Sequence, residues 1–298
     1  MTAAVIQCLP SSAGAAQRLA GRLGVGLHEI ARHRFPDGEL RVTVGPAAST
    51  VIVYAPLDQP NDKLLALLFA SEALRRGGAK RLVLVAPYLC YMRQDAAFHE
   101  GEAVSQKVIG RLLASAVDRV ITVDAHLHRT KDVHNIFPGI EADNLSAMPA
   151  IADGLRAGGF DPSTVVVGPD EESQAWVSDL AARLGARPAV ARKTRRGDRS
   201  VEITFADPAL FVGRPALLVD DIVSSGGTLM TCAKALQAAG ATTVDAVVTH
   251  ALFAPELAGR LFEAGIRSVK STDSICHPSN AIALDAVLAG ALRREIGA

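Results

Sequence analysis

Three things are scarce in this sequence, and each scarcity removes a class of function. The four cysteines, Cys8, Cys90, Cys232 and Cys276, stand far apart and form no CxxC pair, so neither a zinc knuckle nor a disulfide framework is written into the chain. Cys8, Cys90 and Cys232 have apolar neighbours in sequence, which suits buried thiols in a reducing compartment. Excess charge is missing too, because 31 basic residues balance 31 acidic ones. No bulk field draws such a protein to nucleic acid or to a membrane surface, and any anion site has to be local. No run reaches the roughly 18 uncharged apolar residues of a membrane span. The opening MTAAVIQCLPSSAG has no basic stretch before its short apolar one, so a secretory leader is not expected either. These readings point to a cytoplasmic protein with neither membrane nor nucleic acid as partner.

What the chain does have is 298 residues at 49% hydrophobic content, enough for one large or two medium cores. Short β-branched runs recur: VIVYAP (51–56), RLVLVAP (81–87), RVITVDA (119–125), TVVVGPD (164–170), ALLVDD (216–221) and TVDAVVTHA (243–251). Between them lie helical patterns such as NDKLLALLFASEALRRGG (61–78) and TLMTCAKALQAAG (228–240), apolar at three and four spacing and stopped by glycine. Continuously apolar strands alternating with helices predict parallel sheets covered on both faces. The segment DVHNIFPGIEADNLS (132–146) reads as irregular and predicts a boundary near residue 145. The expected organisation is an α/β protein of two similar domains, 1–145 and 146–280. A C-terminal helix over about 280–298 is expected to pack back on the first.

The stretch LLVDDIVSSGGTL (217–229) carries the clearest chemistry. Its apolar residues bury a strand and leave Asp220 and Asp221 at the carboxyl end, where open α/β sheets bind ligands. Neighbouring strand residues face opposite ways, so the two carboxylates are not simply a metal pair. As the chain turns out of the strand they can accept hydrogen bonds from two sugar hydroxyls. Ser224, Ser225, Gly226, Gly227 and Thr228 then offer hydroxyls and free N–H groups at a helix N-terminus, which favours a phosphate. A simple helix cap needs one such residue, and this stretch has seven polar or glycine positions. No GxxxxGK[ST] occurs anywhere, so a nucleotide P-loop is excluded. The ligand predicted from these residues is a phosphorylated sugar.

VDDIVSSGGT resembles the ribose 5-phosphate and phosphoribosyl diphosphate (PRPP) loop of both phosphoribosyltransferases and ribose-phosphate pyrophosphokinases, and does not choose between them. Four further segments resemble the pyrophosphokinases in particular: FPDGELRV (35–42), PYLCYMRQD (87–95), RVITVDAHLHR (119–129) and GPDEESQAW (168–176). The basic ARKTRRGD (191–198) lies between the last of these and the loop. The resemblance spans nearly the full length and implies a type I phosphoribosyltransferase-like fold. It also implies transfer of the diphosphoryl group of ATP to the anomeric hydroxyl of ribose 5-phosphate.

On that resemblance, Phe35, Asp37 and Glu39 contact the adenine of ATP bound to a neighbouring subunit. A homo-oligomer, dimer or hexamer, is therefore expected. Arg93, Gln94 and Asp95 bind ATP from a loop at the ligand end of the sheet, and Arg93 suits phosphate through its planar fork of donors. VDAHLH places Asp124, His126 and His128 at alternate positions, which on a strand would share one face and suggest zinc. The resemblance instead assigns His126, with Asp170, to the metal and triphosphate region of a magnesium enzyme. His128 and His134 are expected to be surface or structural residues. The basic segment reads as a hairpin tip between strands PAVARK and SVEITF, and the family's catalytic lysine and arginine map to Lys193 and Arg195.

Two departures mark this chain. Glu171, Glu172 and Ser173 stand where the family has a Gly-rich turn, and Ser224 and Ser225 stand where Asp then Thr are common. The first bears on pyrophosphate or regulatory contacts, and the second leaves phosphate binding chemically intact. Two rivals are weighed against the enzyme. A phosphoribosyltransferase would leave the first 145 residues and RQD unexplained. A non-catalytic pyrophosphokinase-associated regulator should have lost the basic-loop residues and the Asp pair.

Overall fold

The computed structural model of the chain describes residues 4–127, 129–130, 132–196 and 200–297, and the side chains of these residues except at 193–196 and 200–202. His128 and the side chains of Lys193 and Arg195 therefore lie outside the described residues. The chain divides into two compact units. The first is Met1–Ser146 with Ser274–Cys276 and Leu284–Ala298; the second is Ala147–Asp273 with His277–Ala283.

In the first unit the elements run β1 (Ala4–Cys8), α1 (Ala13–Leu23), β2 (Gly26–Glu29), β3 (Ala31–Arg34), β4 (Leu40–Thr43), β5 (Thr50–Tyr54) and α2 (Pro60–Arg76). They continue with β6 (Arg81–Val85), α3 (Ser105–Ala116), β7 (Arg119–Val123) and β8 (Glu141–Leu145). The order β2-β1-β5-β6-β7-β8 makes one sheet, parallel at every pairing. β1 and β7 are buried along their whole length, which is why they read as unbroken apolar runs. β3 and β4 form a separate antiparallel ribbon with exposed residues at its turn.

Two expectations are corrected here. The segment 132–146 is not simply irregular, because it contains edge strand β8. EADNL has only Ala142 buried, and an edge strand facing water lacks the apolar run that reveals its inner neighbours. The strand before DAHLH stops at Val123, and Asp124 adopts a left-handed φ of 39°. That turn breaks the alternation, so VDAHLH does not line up its polar residues along one strand face.

The C-terminus closes the first unit. Helix α8 (Asp285–Leu292) packs on α1, with Arg22 Nε 2.6 Å from Asp285 Oδ2. Beyond it, Glu295 accepts from Arg81 at 2.6 and 2.9 Å and from Arg119 Nη1 at 2.8 Å. Both the Glu295 and the Arg119 side chains are only 3% exposed. Burial alone would raise the Glu295 carboxyl, but the bonds from the two guanidinium groups outweigh it and hold the group below its ordinary range.

The second unit runs α4 (Met148–Ala157), β9 (Val165–Gly168), α5 (Gln174–Leu184), β10 (Arg187–Arg196), β11 (Ser200–Phe205) and β12 (Pro215–Val223). It continues with α6 (Gly227–Ala238), β13 (Thr243–Ala251), α7 (Leu257–Glu263), β14 (Ile266–Thr272) and β15 (Asn280–Ile282). The sheet order is β11-β10-β9-β12-β13-β14-β15, parallel except for the antiparallel β10–β11 hairpin. β9 is buried throughout, and β12 is buried over residues 216–219 and alternates after that. Polar groups therefore begin where the strands end. Among the described residues no helix is long and apolar enough to cross a membrane.

Candidate active site

Strand β12 delivers the loop that the sequence singled out. It runs two residues past Asp221 to Val223, and the two carboxylates are presented differently. Asp221 is buried at 5% exposure, while Asp220 is half-buried and lines an open cavity of about 80 Å³. The same cavity is lined by Ser224, Ser225, Gly226, Gly227 and Thr228. Gly226 is required by its backbone: it takes φ 71° as the cap of α6, and a Cβ there would lie 2.9 Å from Leu257 and 3.1 Å from Leu261. The turn leaves Ser224, Ser225 and Gly227 exposed ahead of twelve residues of helix. Such a terminus carries unpaired N–H donors and the positive end of the helix dipole.

Three aspartates act on one another at this edge. Burial pushes the Asp220 carboxyl up to about 8 from an ordinary 3.8, and the negative charges of Asp221 and Asp170 add to the effect. Asp170 follows β9, next to β12 in the sheet. Between about pH 4 and 8 the folded protein therefore favours retaining a proton among these coupled carboxyls that the unfolded chain has already released. That stabilisation is complete below pH 4 and is lost as pH rises through 8. Asp220→Asn should raise the Tm at pH 8.5 by on the order of 5 °C and change it little at pH 4. Equal shifts at the two pH values in differential scanning fluorimetry would contradict this reading.

Glu171, Glu172 and Ser173 form a 3-10 turn after Asp170. Both glutamates are exposed, and Ser173 is buried with its hydroxyl donating to the Asp170 carbonyl at 2.5 Å. Ser173 thus holds the turn from inside while the added charge faces outward. Lys193 and Arg195 lie on β10, their backbones paired with Ile203 and Val201 of β11.

In the first unit the candidate residues stand on loops after β6 and β7 and on the β3–β4 ribbon. Phe35 is 38% exposed at the ribbon turn, edge-on to His33 at 4.8 Å and with the Arg41 guanidinium 6.0 Å from its ring centre. Asp37 accepts from the Glu39 N–H at 3.1 Å, and Arg34 pairs with Asp62 at the start of α2. Arg93 is exposed and Gln94 half-buried. Gln94 donates to Glu102 at 3.1 Å, and Glu102 also accepts from the Phe98 N–H at 2.9 Å. His126 is half-buried just beyond the Asp124 turn. His134 is 60% exposed and bonded to Asp132.

Two residues that hold these loops are not evident from the sequence. Gln106 is 3% exposed on α3, in register with buried Ile109, Gly110 and Leu113. A glutamine on an apolar stripe was the signal available. Asn144 on β8 accepts from the Ala125 N–H at 2.8 Å beside the Asp124 turn, and the polar composition of β8 hid it.

Known proteins match this geometry along the chain. Residues 4–116 match the model for the N-terminal domain of ribose phosphate pyrophosphokinase, and residues 148–263 match the phosphoribosyl transferase domain. Ribose-phosphate pyrophosphokinase 2 of Archaeoglobus fulgidus is 36% identical, over 91% of this chain and 93% of the relative. The chain belongs to the ribose-phosphate pyrophosphokinase family. Within that family the ribose-phosphate pyrophosphokinase of Methanopyrus kandleri is 32% identical over 94% of this chain and 96% of its own. The crystal structure of phosphoribosylpyrophosphate synthetase from Mycobacterium smegmatis aligns with a TM-score of 0.83 at 25% identity, covering 97% of each chain. The fold is thus that of the family, with a phosphoribosyltransferase-type domain in the second unit.

Proposed function

We propose that this member of the family is a ribose-phosphate diphosphokinase that converts ribose 5-phosphate and ATP to PRPP and AMP. The observation that carries the reading is the cavity at the end of β12, where a half-buried carboxyl group meets a helix N-terminus of serines and glycines. Hydroxyl acceptors beside phosphate donors suit a sugar phosphate. The 5-phosphate is assigned to Ser224, Ser225, Gly226, Gly227 and Thr228, and the ring hydroxyls to Asp220, which lines the cavity, while Asp221 is buried and outside its lining.

ATP is assigned to the first unit, with Arg93 and Gln94 on its phosphates. Phe35, Asp37 and Glu39 are assigned to the adenine held by a neighbouring subunit of a homo-oligomer. The anomeric hydroxyl attacks the β-phosphorus, the bond from that phosphorus to the α-phosphate oxygen breaks, and AMP leaves with the pair of electrons. Lys193 and Arg195 are assigned to the charge that develops in this step. The work of these residues is positioning and neutralisation rather than strong base catalysis.

Magnesium fits the donors present in part. Among the described residues no cluster of three or more His, Cys, Asp or Glu side chains is placed to cage an ion. Magnesium commonly takes one or two carboxylates and completes its shell with substrate phosphates and water. Asp170 and His126 are the residues assigned to it. When bound, the ion would supply charge neutralisation on the triphosphate. A cytoplasmic setting agrees with the burial of Cys8, Cys90 and Cys232 as thiols rather than disulfides.

A lone phosphoribosyltransferase domain would account for 148–263 and leave 4–116 without a role. The test is release of AMP from ATP and magnesium with and without ribose 5-phosphate. Sugar-dependent AMP is expected, and AMP release indifferent to the sugar would overturn the assignment.

A further inference from the structure

Among the described residues three non-glycine positions take a positive φ: Gln59 at 45°, Tyr91 at 61° and Asp124 at 39°. They fall in the loops after β5, β6 and β7, which are neighbours in one sheet. Residues with a Cβ stay in this region only where the surroundings over-determine the backbone, and such strain gathers at functional sites. The question is what holds the last two loops, which carry Arg93 and Gln94 on one side and His126 on the other.

Two side chains cross between them. The Asp95 carboxylate, only 1% exposed, accepts from the Arg129 backbone N–H at 3.0 Å and from its Nη1 at 2.7 Å. The Arg129 guanidinium also lies 5.3 Å from the centre of the Phe98 ring, back on the first loop. Buried Gln106 is the second link. It donates from its backbone to the Gln94 carbonyl at 3.2 Å, while its side-chain oxygen accepts from Thr130 at 2.9 Å. Burial would raise the Asp95 carboxyl, yet the bonds from Arg129 hold it below its ordinary range.

An inward carboxylate, 1% exposed and with each oxygen already accepting from Arg129, is poorly placed to contact a nucleotide. We propose that Asp95 and Arg129 are a positioning pair, backed by Gln106 and Thr130, that locks the Arg93–Gln94 loop to the His126 loop as one rigid donor platform. This deepens the reading above, rests on it, and reassigns Asp95 from ATP contact to support.

The test compares R129A, D95A and D95A/R129A by steady-state kinetics and by hydrogen exchange of the full chain. R129A and D95A should each lower kcat/KM for ATP roughly 10- to 100-fold. The KM for ribose 5-phosphate should move less than about twofold, because its assigned residues lie on other elements. The double variant should stay within about threefold of the worse single one, since both changes remove one interaction. Amides over 94–102 and 125–130 should exchange about tenfold faster in R129A, with the Tm lowered by no more than about 4 °C. If R129A leaves ATP kinetics and exchange unchanged while D95A loses activity, Asp95 touches the nucleotide itself and the pair is overturned. Multiplying losses in the double variant would overturn it as well. R93A separates the two levels: a KM for ATP unchanged in R93A overturns the donor reading, and with it the positioning role, even where exchange shows the loops coupled.

Discussion

Lys193→Ala is expected to lower turnover about 100- to 1,000-fold, the usual loss when one preorganised donor to developing charge is removed. Lys193 sits on β10 four residues before the β10–β11 connection, in a stretch with Arg192, Arg195, Arg196 and Arg199 against a single acid, Asp198. The chain as a whole has no net charge, so the field of this excess is local. A polyphosphate losing a bond at its β-phosphorus is a suitable target, and a hairpin can deliver cations to it as the substrates bind. The loss should fall on kcat more than on either KM, because the cation is used mainly in the transition state. Steady-state kinetics with circular dichroism and Tm as folding controls will decide it. Turnover within about threefold of the parent protein would remove the basic loop from catalysis.

Glu295→Ala is expected to destabilise the first unit by about 3–5 kcal/mol, the usual cost of stranding buried charge. Glu295 receives three bonds from Arg81 and Arg119, and the Arg119 side chain is 3% exposed. Arg119 keeps Asp143 at 2.7 Å and the Ala291 carbonyl at 3.1 Å, which compensates part of the guanidinium and leaves the bond to Glu295 unreplaced. Because the folded carboxyl is depressed, its contribution is present above about pH 4.5 and lost as pH falls through the lowered value. Scanning calorimetry at pH 7 should show a transition about 10 °C lower, and the gap to the parent protein should narrow towards pH 3. A loss under about 1 kcal/mol would mean that the C-terminal segment is not the clasp of this unit.

The inner strands were legible because burial on both faces left unbroken apolar runs, as in RLVLVAP and LLVDD. The loop to which a phosphate is assigned was legible as a loop between strand and helix, because Ser-Ser-Gly-Gly-Thr directly after a buried run ends the strand and opens a helix. Edge strand β8 was not legible, since water on its outer side allows polar residues throughout. The Asp124 turn was missed for a different reason. Period-two reasoning assumes that a strand continues, and the bonds that end this one come from Leu145 and Asn144 on a neighbouring strand. Likewise, nothing local in RQD reveals that its aspartate turns inward to Arg129, 34 residues on. Local sequence carries the core and the chemistry of single loops, whereas links between loops are long-range and appear only in three dimensions.

The claim that a diphosphoryl group moves as a unit is tested most directly by a phosphorus NMR spectrum of the reaction. The protein, ATP, magnesium and ribose 5-phosphate should give equal amounts of AMP and a product whose diphosphate is attached to the sugar anomeric oxygen, with no ADP. Formation of ADP and a ribose bisphosphate would show attack on the terminal phosphorus instead. That result, or a spectrum unchanged by adding ribose 5-phosphate, would contradict the account.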